Sequence, residues 1–173
     1  MIGPSWPLLA ILASVAMLAG AHAFEAIGKM APCPLCLRQR DVYWAAIAMS
    51  ATGLILWQRN PASRKLIALN VMLGLVFLTG TVVAGYHAGV EWELWRGPAD
   101  CSGGVVGDIT NIDLSSALDR PIATVSCTEA PWRMFGISMA GYNAAISILL
   151  ALSSFAASSH VTSLARENLQ AAE

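Results

Sequence analysis

The chain has 173 residues, of which 56% are hydrophobic and only 12% charged, about half the roughly 25% charge of an ordinary soluble domain. Ten Lys and Arg against eleven Asp and Glu leave a formal net charge of -1. This composition excludes a conventional soluble fold, and without a basic field or an acidic tail it also excludes nucleic-acid binding.

Four long stretches carry no Asp, Glu, Lys or Arg: Met1 to Phe24, Val42 to Gln58, Leu66 to Val90 and Met134 to Ala165. At 1.5 Å per residue a helix needs about 20 apolar residues, and at least about 17, to cross the hydrocarbon of a bilayer. All four stretches qualify, the second only just. They predict an all-α fold: an integral membrane four-helix bundle with a long extracytoplasmic loop between helices 3 and 4, forming one membrane domain over 1–173.

The first span, 5–27, contains Ala21-His22-Ala23, which resembles a signal-peptide cleavage site. No Lys or Arg precedes this run and it is as long as a full span, so it reads as a retained helix. The loop 28–41 holds Cys33-Pro34-Leu35-Cys36, then Arg38 and Arg40. The second span, 42–58, passes through the short loop 59–65 to the third, 66–87, which closes on Tyr86 and His87.

The long loop 88–133 carries Cys101 and Cys127, with Gly97-Pro98, Gly103-Gly104 and Gly107 as chain breakers. Within it, Asp113 to Leu118 reads as a short helix stopped by Pro121, with Leu114 and Leu118 resting on the membrane surface. The fourth span, 134–157, leads into a tail, 158–173.

Tyr43, Trp44, Trp57, Tyr86, Trp92, Trp95 and Trp132 lie where the charge-free stretches end, the depth at which amphipathic rings settle at headgroups. The pairs Ala16/Gly20, Gly80/Ala84, Thr81/Gly85 and Gly141/Ala145 predict close helix approach. His22, Asn70 and Asn143 lie inside spans and are expected to make interhelical hydrogen bonds. Glu25, near the membrane surface, carries no expectation.

Four spans put both termini and the loop 59–65 on one side, and the loops 28–41 and 88–133 together on the other. Counting Lys and Arg does not orient the bundle: four lie on the terminal side and six opposite, although three of the four are packed between Arg59 and Lys65. The cysteines do. All four, Cys33, Cys36, Cys101 and Cys127, lie in the two loops that share a face, and an even count there implies disulfide chemistry in an oxidising compartment. That face is read as periplasmic, and the termini and the loop 59–65 as cytoplasmic.

A zinc site would want two close pairs, and Cys101 and Cys127 are too far apart in sequence for one, so no metal is expected. A structural crosslink would suit Cys101 and Cys127, which flank a glycine-rich loop. It does not account for Cys33 and Cys36, whose ring is too small to contribute loop entropy but has the C-x-x-C spacing of thiol exchange. The helix dipole of the following span and the cations Arg38 and Arg40 favour a thiolate there. Arg40 lies one turn deeper than Cys36, where an arginine must face protein, headgroup or ligand rather than lipid.

With these features the sequence resembles the disulfide bond formation protein B (DsbB) family, bacterial inner-membrane enzymes that reoxidise the periplasmic dithiol oxidase DsbA. The resemblance rests on four spans and Cys33-Pro34-Leu35-Cys36-Leu37-Arg38-Gln39-Arg40, with Tyr86-His87, Cys101, Cys127, Trp132 and Phe135-Gly136-Ile137-Ser138-Met139. Pro34 departs from it, since many members carry a non-proline aliphatic residue there, which bears on the potential of the first pair.

The resemblance implies a quinone-dependent protein-disulfide oxidoreductase acting on a DsbA-like partner from within the lipid bilayer. A partner thiolate would attack the Cys101-Cys127 disulfide at Cys101, and the freed Cys127 would attack Cys33. Cys36 would leave as a thiolate beside Arg40 and pass electrons to membrane quinone, ubiquinone or menaquinone. An oxidant as strong as DsbA, near -120 mV, needs a still more oxidising sink of this kind. Arg40, His87 and Met139 are the expected quinone-binding residues. The competing readings are a vitamin K epoxide reductase-like enzyme with another thioredoxin-like partner, and a structural four-span protein whose disulfides only order its loops.

Overall fold

The structure is a computed structural model and describes residues 5–29, 31–101 and 126–171. The helix expected at Asp113 to Leu118, with Pro121, Gly103-Gly104 and Gly107, lies outside them.

Four helices dominate: α1 (Trp6–Ala26), α2 (Pro34–Arg59), α3 (Arg64–Glu91) and α4 (Met139–Gln170). Side chains start three of them. Cys33 caps α2 by accepting from the Cys36 amide, with Pro34 at the first helical position, where its missing N–H costs nothing. Ser63 caps α3 through the Leu66 amide and Ser138 caps α4 through the Gly141 amide. A 3-10 turn, Ala99–Cys101, carries the third cysteine.

The helices overrun the charge-free stretches because capping, and not hydropathy, sets their ends. Thus α2 begins well before 42, and α4 takes in most of the expected tail. At the other end α4 starts at Met139, later than 134. Residues 133–138 instead form a hairpin of β1 (Arg133–Met134) and β2 (Ile137–Ser138), pairing Arg133 with Ser138 and Met134 with Ile137. Phe135 (φ 51°) and Gly136 (φ 80°) give the tight turn its two left-handed residues.

The most extensive packing is α3 on α4, followed by α2 on α3 and α1 on α2. Trp6, Ala10 and Leu18 meet Tyr43, Ala46, Leu73, Phe77, Ala151 and Ala157 in the core. Around them the usual distribution is inverted: Leu12, Val82, Leu149 and Leu152 are exposed, whereas Ser14, Ser50, Ser147 and Ser154 are buried. An apolar exterior over a small and polar interior suits a lipid solvent. By length and composition α1, α3 and α4 can each cross a membrane; α2 is long enough but less apolar, carrying Arg38, Arg40, Asp41 and Arg59.

Some expected contacts form and others do not. Gly80 and Ala84 are buried, and a Cβ at Gly80 would lie 3.0 Å from Val42. Among the described residues nothing stands within 4 Å of a Cβ at Gly20 or Gly85, so those two pairs mark no close approach there. The tightest interhelical glycines are Gly74 against Phe155 and Gly53 against Leu69 and Pro7. Tyr43 is no interfacial anchor: its hydroxyl is drawn into the core to Asn143 and Ser147, and its ring tilts on Phe77. Asn143 does bond between helices, but Asn70 is buried with neither amide atom partnered among the described residues, and His22 faces Glu25 on its own helix.

Candidate functional site

The four cysteines gather at one end of the bundle. Cys33, Cys101 and Cys127, only 3%, 1% and 1% exposed, form a buried cluster with Leu35 and Val90, and Cys36 packs against it. Cys101 and Cys127 are joined in a disulfide, Cα to Cα 5.1 Å, and the Cys127 amide donates to the Cys101 carbonyl. Cys33 and Cys36 are free, with their sulfurs 2.7 Å apart. A Cβ at Gly97 would lie 3.1 Å from Val90 and 3.3 Å from Cys101, so a glycine lets the loop lie flat over this end of α3.

Cys33 Sγ, a ring nitrogen of His87 and Cys127 Sγ all lie within 4.8 Å of one another. Such a triangle could hold a metal ion, but the Cys127 sulfur is already bonded to Cys101 and offers no thiolate. Its other meaning is that the two cysteine pairs are within exchange distance.

The free pair is electrically asymmetric. A hydrogen bond from Cys33 brings the Cys36 thiol down to about 7, with Arg40 assisting electrostatically and burial and Glu91 opposing. That same bond, with burial, pushes Cys33 up. Cys36 is therefore the thiolate-bearing member.

Cys36 opens onto a cavity of about 320 Å³ between the helices. Its walls are mostly apolar and include Met17, Leu18, Phe24, Trp132, Met139 and Ile146, and its polar members are Gln39, Arg40, Tyr43, His87, Glu91 and Asn143. The structure thus places Arg40, His87 and Met139 around one space together with Cys36. Arg40 has partners the sequence did not disclose: its guanidinium donates to Glu25 at 2.7 Å and to the Ala21 carbonyl at 3.3 Å. Glu25, set aside in the sequence, anchors that arginine from α1.

His87 is likewise held from outside its own helix. Gln39, absent from the candidates, donates to its Nδ1 at 2.8 Å, while its Nε2 lies 3.6 Å from Cys33 Sγ and 3.8 Å from the Glu91 carboxylate. Among the described residues the second Glu91 carboxylate oxygen has no hydrogen-bond partner. The spacing of Gln39 from Leu35 and Tyr43, one turn either side on the buried face of α2, was the available signal.

A helical bundle with a lipid-suited surface and two cysteine pairs in one buried cluster defines a membrane thiol–disulfide protein. The family profile of the disulfide bond formation protein DsbB matches residues 4–157. An uncharacterized protein of Rickettsia prowazekii is 30% identical over 144 residues, 83% of this chain and 80% of its own. Disulfide bond formation protein B of Methylococcus capsulatus is 30% identical over 136 residues, 76% of this chain and 79% of its own. The same-named protein of Acinetobacter baumannii is 27% identical over 146 residues, 83% and 84% of the two chains. No solved structure matches the chain. The chain belongs to the DsbB family and is a membrane protein of disulfide bond formation.

Proposed function

We propose that this protein is a quinone-dependent thiol:disulfide oxidoreductase of the bacterial inner membrane, with four spans, cytoplasmic termini and periplasmic cysteine loops, that reoxidises a DsbA-like dithiol oxidase. The observation that carries this reading is the approach of Cys127 Sγ to Cys33 Sγ within 4.8 Å, which leaves one exchange step between the two pairs.

A partner thiolate attacks Cys101, breaking the Cys101–Cys127 bond and forming a mixed disulfide. With Cys33 and Cys36 first oxidised to a disulfide, Cys127 leaves as a thiolate and attacks Cys33, so that a Cys127–Cys33 bond forms, the Cys33–Cys36 bond breaks and Cys36 is released as a thiolate. The partner's second thiolate displaces Cys101, which attacks Cys127 and frees Cys33. The partner is now oxidised, Cys101–Cys127 is restored and Cys33 and Cys36 hold the electron pair, the distribution of bonds seen here.

The cavity fits a quinone: its walls are mostly apolar, and a guanidinium, a histidine and an orphaned carboxylate oxygen are gathered near Cys36. A bound quinone supplies a sink for two electrons and two protons. Arg40 holds positive charge at the cavity wall and stabilises Cys36 as the thiolate. His87 presents a ring nitrogen to the Cys33 sulfur, and Met139 contributes to the apolar wall.

The test is to add reduced DsbA-like partner to the purified protein in quinone-containing detergent micelles and follow quinone absorbance. Loss of quinone absorbance at one equivalent per partner disulfide formed is expected. Partner oxidation with no quinone consumed would refute the reading.

A further inference from the structure

The hydrogen bonds that reach His87 form a chain with one direction. The Tyr43 hydroxyl donates to Asn143 Oδ1. Asn143 Nδ2 donates to Gln39 Oε1 at 2.5 Å. Gln39 Nε2 donates to His87 Nδ1 at 2.8 Å and also lies 3.3 Å from the Leu35 carbonyl. Because an amide oxygen can only accept and an amide nitrogen can only donate, each link fixes the orientation of the next. The order Asn143 to Gln39 leaves Gln39 with its nitrogen toward the ring. A neutral imidazole that accepts at Nδ1 carries its proton on Nε2.

We propose that Gln39 and Asn143 are positioning residues that lock His87 as the Nε2–H tautomer and thereby hold an N–H on the Cys33 sulfur. Of the two acceptors facing Nε2, Cys33 Sγ at 3.6 Å is within reach of a hydrogen bond to sulfur, whereas the Glu91 carboxylate at 3.8 Å is beyond one to oxygen. Cys33 also accepts from the Cys36 amide at 3.2 Å, which leaves its own S–H to face Cys36. All donors from Tyr43 onward then point toward Cys36, and such chains strengthen cooperatively. Gln39, Asn143 and His87 are all buried, which limits competition from water for these groups. The arrangement favours the reduced pair, in which the Cys33 S–H it supports faces the Cys36 thiolate, over the disulfide, which has neither a thiol proton nor a charge. The inference rests on reading Cys33 and Cys36 as an exchanging pair, but its test needs neither quinone nor partner.

The full-length protein in detergent, labelled with ¹⁵N in its histidine rings, is expected to show His87 with a protonated Nε2 and a bare Nδ1, assigned by comparison with His22→Gln and His160→Gln. Asn143→Asp removes the donor to Gln39 Oε1 without touching His87. It should turn the Gln39 amide over and move the ring proton to Nδ1. The same variant, and Gln39→Met, should shift the Cys33–Cys36 equilibrium with glutathione up to about tenfold toward the disulfide, the upper end for the loss of one neutral hydrogen bond. Acid trapping and peptide mass spectrometry resolve this pair from Cys101 and Cys127. In a His87→Gln background neither change should shift it further. A wild-type ring protonated on Nδ1 would overturn the proposal, as would an equally large shift in the His87→Gln background, since Gln39 and Asn143 would then act through the fold alone. The wild-type spectrum decides even if a variant fails to fold, and a failed quinone assay would leave both readouts unchanged.

Discussion

The two cysteine pairs share a buried cluster yet are held in different ways. Cys33 and Cys36 are fixed by a helix: the first is the cap of α2 and the second lies in its first turn, with Gln39 and Arg40 continuing into the bundle. Cys101 and Cys127 stand 26 residues apart on chain outside the long helices, joined by their disulfide and one backbone hydrogen bond. The helix-borne pair takes its properties from fixed neighbours, so its thiols differ in acidity before anything binds. The loop-borne pair takes its place from contact with Val90 and Cys33. Fixed neighbours tune one side of the cluster, and a crosslink holds the other.

Separating the pairs should produce the largest effect. Cys101→Ser is expected to abolish mixed-disulfide formation with a DsbA-like partner, while Cys33–Cys36 still exchanges electrons with added quinone; gel trapping and quinone absorbance report the two halves. A mixed disulfide formed as readily as in the wild type would move the entry point elsewhere.

Next in size is the loss of Arg40. Its two guanidinium nitrogens engage different acceptors on α1, which a lysine cannot reproduce. Arg40→Met should raise the apparent KM for quinone about tenfold or more and Arg40→Lys less, the scale of one charge-assisted hydrogen bond. Unchanged quinone kinetics in Arg40→Met would reduce Arg40 to a brace for Glu25.

Remote from both pairs, Gly74→Val should destabilise the bundle by about 1–3 kcal/mol, because a Cβ there would fall 2.7 Å from the Phe155 ring. Detergent-titration unfolding measures this, and the Cys33–Cys36 equilibrium should not move.

The smallest effect is a shift along the pH axis. Since the Cys36 thiol is lowered to about 7, its alkylation in the reduced protein should rise with pH and level off above that value, earlier than for an ordinary thiol near about 8.5. Cys33→Ala removes the hydrogen bond chiefly responsible, so the midpoint should move up. An unmoved midpoint would show that the pair is not asymmetric through its own contact.

Much of the fold was legible because a bilayer excludes charge: the stretches free of Asp, Glu, Lys and Arg locate the four long helices of the described residues. Their ends were not, because hydropathy is silent about caps such as Cys33 and Ser138 and about the left-handed residues Phe135 and Gly136. Cavity-lining residues such as Arg40 and His87 were visible as polar residues near span ends. Their partners were invisible, because Glu25 and Arg40, or Gln39 and His87, come together only through helix packing. Asn70 shows the reverse error: a polar residue in a span suggested a bond, and the packing among the described residues supplies none.

Cys101, the sulfur assigned to meet the partner, is only 1% exposed. A thiol in solution therefore has to uncover it before it can react, and the cost of that local opening multiplies into every encounter. Reactivity toward small thiols is held down by access, whatever the potential of the disulfide. A protein that docks can recover the cost of opening through the surface it covers, and a free tripeptide thiol cannot. Under the proposed relay, burial of this one sulfur is insulation, since it holds back electrons from the surrounding thiol pool.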